Sequence, residues 1–259
     1  MDDKNAFSIK SIDTSLDFTL DSPGYWEGFW DNNGGMGAGS CDPDLESKAL
    51  QYYHHILWSK KLPCGSYMEL KCGEGCNYLT WDKYRFGSDS IIVSFRHQRN
   101  KILINEVSNK LTDYKKFVED YLHKSYTIGG FIIFPKHKYS INQCRGIHPL
   151  IGDRWDLTLE CIRKFYIGEK SPLFKALNRD KDFFELFVDF KGFVDYFFLQ
   201  DCVSHDYSTV DIWMGKGDFS ENPYPKTVKQ YLSWIETELA FLDKRNKRIK
   251  KFINTIIDT

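Results

Sequence analysis

The sequence lacks the short motifs that assign most enzymes to a class. No Gly-Lys-Ser/Thr follows the glycine-rich stretch 34–39, so the phosphate-binding loop of the P-loop proteins is excluded. The zinc-protease motif His-Glu-x-x-His is absent, as are the signatures of serine hydrolases, protein kinases and Rossmann dehydrogenases. Any catalytic site must therefore be assembled from residues that are far apart in the chain.

The chain also lacks a strong charge of either sign and a long apolar run. Its net charge is −1 over 259 residues, so a charge-driven partner would have to bind a local patch. No stretch approaches the roughly 18 continuous apolar residues of a membrane helix, and the polar N-terminal segment has no signal-peptide core. These features predict a cytoplasmic protein that does not associate with membranes.

Cysteine is present, but without the spacing of a disulfide framework or a zinc site. The seven cysteines are an odd number scattered along the chain, which predicts free thiols in a reducing compartment. Cys72 and Cys76 are closely spaced, but no second Cys or His pair follows at a similar spacing. The sequence therefore predicts no metal site, and it leaves any cofactor unidentified.

The patterns that are present favour an α+β fold in a single domain spanning residues 1–259. Alternating or β-branched runs predict short antiparallel strands in a strand- and loop-rich part, residues 1–135, at 6–20, 67–70, 78–81, 91–95 and 126–134. The last of these runs is interrupted by Gly129 and Gly130, where the backbone must bend or closely approach another element. Residues 149–259 read as mainly helical.

Three helices have the clearest signals. The first is predicted to begin at Pro43, with Asp42 as its N-cap, and to end before Pro63. The second covers 111–124. The third follows Pro225 and runs to about Ile257, because apolar residues recur along it at spacings of three and four.

The most informative stretch is 125–166, where a predicted strand, a polar linker and a helix follow one another. On a helical projection, Asp153, Asp156 and Glu160 share one face with Arg163. Leucines interrupt this face, which predicts that part of it is covered by the protein. Two interpretations stay open: an internal ion-pair network, or a catalytic cleft formed by Arg145, Asp153, Asp156 and Glu160.

The C-terminal helix carries a dense group of cations in its second half. Lys244, Arg245, Lys247 and Arg248 are the candidate nucleic-acid-binding residues, because lysine and arginine neutralise backbone phosphates. A simple solvated basic face is the alternative, since the helix dipole favours cations near a C-terminus in any case.

Aromatic residues cluster just before the glycine-rich stretch. Trp26 and Trp30 lie in this segment, which is predicted to be a loop. If the two tryptophans are exposed, they form a patch suited to a protein partner.

Several motifs together resemble an uncharacterised bacterial family, a domain of unknown function. The matching stretches are SYTIGG at 125–130, INQ at 141–143 followed by Arg145-Gly146, Asp153-Arg154, and DLTLECIR at 156–163. The resemblance extends from about Asp13 to Arg248 and implies a bacterial origin and one full-length domain. It implies no catalytic residues, because that family has no established activity.

Two functions from different classes are consistent with these observations. The first is an enzyme that acts on nucleic acid or a nucleotide, in the manner of a toxin or phage-defence protein, with Arg145 contacting phosphate and a carboxylate acting as the base. On this hypothesis, Arg145→Ala abolishes activity but keeps the melting temperature near that of the wild type. The second is a non-catalytic protein-binding or assembly module that captures its partner through Trp26 and Trp30.

Overall fold

The computed structural model describes residues 12–31, 42–73, 78–96 and 100–257. The helices are α1 (Tyr25–Asp31), α2 (Pro43–Glu46), α3 (Lys48–Trp58), α4 (Lys101–Lys110), α5 (Tyr114–Ser125), α6 (Ile141–Ile147), α7 (Trp155–Tyr166), α8 (Phe174–Arg179), α9 (Lys181–Glu185), α10 (Phe190–Tyr196) and α11 (Val228–Ile257). The strands are β1 (Lys71–Cys72), β2 (Leu79–Trp81), β3 (Tyr84–Ser90) and β4 (Phe131–Pro135). The glycine-rich stretch 34–39 and Cys76 lie outside the described residues.

The four strands form one antiparallel sheet in the order β1-β2-β3-β4. Strand β4 pairs with β3 from Pro135 opposite Phe86 to Phe131 opposite Ser90. All five residues of β4 are buried, so this edge strand is covered by helices, as an apolar strand requires. The predicted α+β class, with short antiparallel strands in the first half and helices in the second, is confirmed.

Strand β3 ends at Ser90, before the strand that the sequence predicted. The sequence favoured a strand at 91–95, but these residues continue past the end of the sheet and are used by α11 instead. The backbone N–H of Val93 donates to Glu238 Oε1 at 2.9 Å, and the indole of Trp234 donates to the carbonyl of Val93 at 3.1 Å. Side chains of a helix therefore take the hydrogen bonds that a neighbouring strand would have made.

Residues 12–20, the part of the predicted strand region 6–20 that the structure describes, do not form strands. Residues 12–24 contain turns, because aspartate side chains satisfy the backbone locally. Asp13 accepts from the N–H of Ser15 at 2.9 Å, and Asp17 accepts from that of Thr19 at 2.8 Å. Such local bonds compete with strand pairing.

The first predicted helix begins where expected but is divided in two. Asp42 accepts a hydrogen bond from the N–H of Asp44 at 3.0 Å, so it caps α2 as predicted. Ser47 then interrupts the helix and caps α3 by accepting from the N–H of Leu50 at 3.0 Å. Its hydroxyl also donates to Asp21 Oδ2 at 2.7 Å. The break turns the short α2 toward the end of β3.

Helix α11 follows Pro225 and ends at Ile257, as predicted. It packs against the Gly129-Gly130 pair, where a Cβ on Gly129 would lie 2.9 Å from the carbonyl of Leu242. Both glycines are fully covered, which confirms the predicted close approach. Within the described ranges, no helix combines the length and the apolarity needed to cross a lipid bilayer.

Candidate active site

The guanidinium of Arg145 lies beneath the surface at the end of strand β3. The residue is on α6 and is fully buried. Its Nε donates to Thr158 Oγ1 at 3.2 Å, and Nη1 donates to the carbonyl of Ser90 at 2.8 Å and to Asp89 Oδ2 at 3.2 Å. Arginine offers five N–H groups in a fixed fork, and here the protein itself occupies most of them.

Asp153 meets the same guanidinium from the turn before α7. Its Oδ1 is 3.1 Å from Nη1 of Arg145, and its carbonyl accepts from Nη2 at 2.5 Å. The backbone at Asp153 has φ +65°, a left-handed conformation that aspartate tolerates better than most residues. Helix α7 therefore begins at Trp155, later than the Pro149 start of the sequence pattern, because this turn is needed to reach Arg145.

The side chains of Asp89 and Asp153 reach solvent, whereas Arg145 does not. Asp89 is 16% exposed and Asp153 is 28% exposed, compared with 1% for the arginine. The surface of the site is thus formed by carboxylates, with the cation underneath them. This arrangement leaves Arg145 poorly placed to contact a phosphate directly.

Asp156 and Glu160 do not join this group. Asp156 is fully buried and forms a bidentate pair with Arg154, at 3.1 and 2.5 Å, while its Oδ2 also accepts from the N–H of Trp213 at 2.9 Å. Glu160 forms a second bidentate pair with Arg163, at 2.7 and 2.8 Å. Part of the charged face of α7 is therefore covered, as predicted. The four residues that were predicted to form one cleft are therefore in different places. Arg145 and Asp153 lie together, whereas Asp156 and Glu160 form separate ion pairs elsewhere on α7.

Two further aspartates, Asp42 and Asp44, lie close to Asp89. Helix α2 packs against β3, and Asp44 Oδ2 accepts from the N–H of Ser90 at 3.2 Å. Oδ1 of Asp44 is buried, and no described residue donates a hydrogen bond to it. Asp42 and Asp89 both act electrostatically on Asp44. We call Asp42, Asp44, Asp89 and Asp153, together with Arg145, the carboxylate cluster.

Burial and neighbouring negative charges raise the pKa values of carboxyls in the carboxylate cluster. Burial raises the pKa of Asp89 to about 7 against the opposing effect of Arg145, and Asp153 and Asp42 add to the increase. Burial, followed by the charges of Asp42 and Asp89, raises the pKa of Asp44 well above its usual range. Burial opposes the charge on Arg145, but Asp153 and Asp89 outweigh it and raise its pKa. Neighbouring carboxylates that cannot all ionise share protons.

A chain of buried polar groups lies behind Asp44. The indole of Trp58 donates to Nδ1 of His54 at 2.8 Å, and Nε2 of His54 lies 3.0 Å from the hydroxyl of Ser88. Because Nδ1 accepts, the ring is neutral and its proton is on Nε2. Burial lowers the pKa of His54 to about 3, in agreement with a neutral ring. The hydroxyl of Ser88 in turn favours the ionised form of Asp44.

Sequence reasoning identified Arg145 and Asp153 but missed Asp44 and Asp89. Asp42 had been assigned only a capping role. Two local signals were available: an acidic pair at the start of α2, Asp42-Pro43-Asp44, and an aspartate between two serines in the last residues of β3. Neither signal shows that α2 packs on the end of β3, and only that contact makes them one site.

The cluster is suited to proton transfer. Among the residues described, no group of three or more His, Cys, Asp or Glu side chains has the arrangement of a metal site. The cluster combines a carboxyl that favours the protonated form with one that titrates near neutral pH. A general acid or base works best when its pKa lies close to the working pH.

The basic half of α11 is only partly available for binding. Arg245 is fully buried and donates to the carbonyls of Phe197, Gly129 and Phe131 at 3.1, 2.7 and 2.9 Å. Its prediction as a nucleic-acid ligand is therefore corrected, because position 245 lies on the core side of the helix. Lys244, Lys247 and Arg248 are exposed, although Lys247 pairs with Asp243 and Arg248 with Asp201.

The aromatic segment before the glycine-rich stretch is a helix packed on the core, whereas a loop was predicted. Trp26 and Trp30 on α1 are half-buried. Trp26 lies 4.6 Å from the ring of His123, and the indole of Trp30 donates to Glu119 at 3.0 Å. The open aromatic patch that the sequence suggested is therefore not formed by these two side chains.

The fold and the cluster together define an α+β protein with a solvent-accessible carboxylate site over a buried arginine. A comparison with family models matches residues 12–249 to a family of unknown function (DUF6994). The chain belongs to this family, in agreement with the resemblance noted from its motifs. No curated protein and no solved structure matches the chain.

Proposed function

We propose that this protein is an enzyme that uses the carboxylate cluster for general acid–base catalysis. One observation supports the proposal above the others: Asp89 and Asp153 pair with the buried Arg145 and reach solvent, and Asp42 and Asp44 lie close enough to Asp89 for their charges to interact. Perturbed carboxyls of this kind are common at catalytic sites.

The roles follow from the environment of each carboxyl. Asp89, with a pKa of about 7, can accept a proton from a substrate or from water at neutral pH. Asp44 favours the protonated form and is the candidate acid. Arg145 acts as a positioning residue: it holds Asp89 and Asp153 in place and keeps the cluster from becoming wholly neutral.

As the substrate class, we propose a nucleotide or nucleic acid. The support is the exposed cations of α11, including Lys244, Lys250 and Lys251, which make no ion pair with a described carboxylate. A groove of about 470 Å³ lies between α5 and α11, and it is lined by Lys124, Lys247 and Lys250 together with Asn246. Lysines in a groove can neutralise the phosphates of a nucleotide or a nucleic-acid backbone.

The test is a turnover assay by liquid chromatography and mass spectrometry. Ribonucleoside mono-, di- and triphosphates and single-stranded RNA and DNA oligonucleotides are incubated with the wild type, Asp89→Asn and Asp44→Asn. We expect Asp89→Asn to reduce turnover by about 100-fold or more, because general acid–base catalysis contributes on that order. We also expect the wild-type rate to fall as the pH drops below about 7, where Asp89 becomes protonated.

The matched control is Asp182→Asn, because Asp182 is exposed and pairs only with Lys83 on the surface. It should keep the wild-type rate. Equal losses in Asp182→Asn and Asp89→Asn, or full turnover by Asp89→Asn, would contradict the role of the cluster. Failure of the wild type to convert any compound of the panel would contradict the nucleotide and nucleic-acid assignment.

A further inference from the structure

The side chain of Lys60 lies inside a cage of aromatic rings, away from the carboxylate cluster. Its Nζ is 5.1 Å from the ring centre of Trp58, 4.4 Å from that of Tyr196, 4.1 Å from that of Phe198 and 4.8 Å from that of Phe252. Lys60 is neither fully buried nor exposed, so part of the residue reaches solvent. The amine is thus surrounded mainly by rings and has lost most of its hydration.

No carboxylate among the described residues pairs with Lys60. Its Nζ donates to the carbonyl of Tyr196 at 2.7 Å. The guanidinium of Arg245 donates to the next carbonyl, that of Phe197, at 3.1 Å. Two cations therefore bind successive carbonyls at the C-terminal end of α10. The partial negative charge of a helix end is the only compensation that they share.

The ionisable groups around the cage supply no negative charge. The Tyr196 hydroxyl donates to the carbonyl of Trp58 at 2.5 Å, and burial raises the pKa of this tyrosine. Cys202 lies close to Arg245, and burial raises the pKa of its thiol well above the usual range. Arg245 from α11 adds a positive charge. Each of these groups either stays neutral or repels an ammonium ion.

Two effects compete at Lys60. Aromatic rings attract a cation, most strongly at a desolvated site, whereas removing an ammonium ion from water is unfavourable. Burial dominates, Arg245 adds to it, and the pKa of Lys60 falls to about 7. A lysine desolvated in an apolar pocket beside another cation is a known means of activating an amine as a nucleophile.

We propose that the amine of Lys60 is a covalent capture site for small aldehydes. The nitrogen lone pair attacks the carbonyl carbon, a C–N bond forms and the π bond of the carbonyl breaks; the nitrogen gives up one proton and the oxygen takes one up, which gives a carbinolamine. Loss of water then leaves an imine between Lys60 and the aldehyde carbon. The step needs no oxidant or reductant.

The test is trapping with acetaldehyde and cyanoborohydride on the full-length protein, followed by peptide mapping. The neighbouring Lys61 is exposed and serves as the internal control. At pH 7 an amine with a pKa near 7 has about a thousandfold more free base than an ordinary lysine. Its lower basicity offsets part of this gain, so we expect Lys60 to be labelled at least about tenfold faster than Lys61. Its labelling rate should reach a plateau just above pH 7.

A second variant separates the two competing effects. Phe252 is half-buried near the end of α11, and Phe252→Ala opens the cage to water. If desolvation dominates, the variant moves the midpoint of Lys60 labelling to a higher pH. Labelling of Lys60 no faster than Lys61, a wild-type midpoint near pH 10, or a downward shift in Phe252→Ala would each overturn the proposal.

Discussion

At the scale of single residues, Glu238 shows how burial determines a charge state. Its carboxyl lies in the core on α11, where it accepts from the hydroxyl of Tyr121 and from the N–H of Val93. Burial raises its pKa to about 8. The folded protein therefore holds this carboxyl protonated at neutral pH, whereas the unfolded chain ionises it at its ordinary value.

This difference makes stability depend on pH. Because the folded pKa is raised, the stabilising contribution of Glu238 is complete below about pH 4.5 and is lost as the pH rises to about 8. We expect Glu238→Gln, which stays neutral, to exceed the wild type in free energy of unfolding at pH 8 by at least about 1 kcal/mol. The difference should shrink or reverse at pH 5. Urea denaturation at the two pH values measures this.

The control for this experiment is Glu236→Gln, an exposed position on the same helix. It should change the free energy of unfolding little at either pH. If the effect of Glu238→Gln is the same at pH 5 and pH 8, the carboxyl is not held protonated by the fold.

At the scale of elements, the Gly129-Gly130 pair sets the position of α11 and β4. A Cβ on Gly130 would lie 2.2 Å from the carbonyl of Ser125 and 2.7 Å from Cδ1 of Ile92. Neither neighbour can move freely, because Ser125 is the last residue of α5 and Ile92 is buried. The pair therefore allows a helix end, a strand and the extended segment after β3 to meet.

We expect Gly130→Ala to destabilise the protein by about 2 kcal/mol or more, because overpacking against fixed backbone shifts neighbouring elements. Gly146→Ala is the matched control: it is in α6, and the nearest atom to its added Cβ is 3.8 Å away. Alanine in place of a helical glycine should be neutral or slightly stabilising there. Thermal unfolding of both variants checks this, and equal melting temperatures would show that the contact at Gly130 can relax.

At the scale of the whole molecule, Arg145 connects three parts of the chain. Its guanidinium binds Asp89 and Ser90 at the end of β3, Thr158 on α7 and Asp153 in the turn between α6 and α7. Arg145, which the sequence suggested as a ligand for phosphate, is therefore a buried residue that links the sheet to the helices.

For that reason we expect Arg145→Ala to lower the free energy of unfolding by about 3–5 kcal/mol, the usual cost of removing one partner of a buried ion pair. This differs from the earlier expectation of an unchanged melting temperature. Lys247→Ala is the control, because Lys247 and Asp243 form an exposed pair on α11 and its loss should cost about 1 kcal/mol or less. A wild-type melting temperature for Arg145→Ala would restore Arg145 as a direct ligand for substrate.

Much of the fold was accessible from local patterns, and much of the candidate site was not. The capped start at Pro43, the glycine pair and the helix Val228–Ile257 were all predicted, because each depends on residues close together in sequence. Strand β3 was misplaced, since the side chains of Glu238 and Trp234 compete for the backbone of Val93 from 145 and 141 residues away. A short stretch of sequence contains no information about side chains that come from so far away in the chain.

The same division applies to the charges. The sequence by itself predicted that the charged face of α7 is interrupted by leucines and partly covered, because helical periodicity is a local property. Only the tertiary structure decided which aspartates meet Arg145. Asp89 is 56 positions away in the chain, and Asp44 comes close to Asp89 only through the packing of α2 on β3. Arg245 lies within a basic run but is buried, because one face of any packed helix turns toward the core.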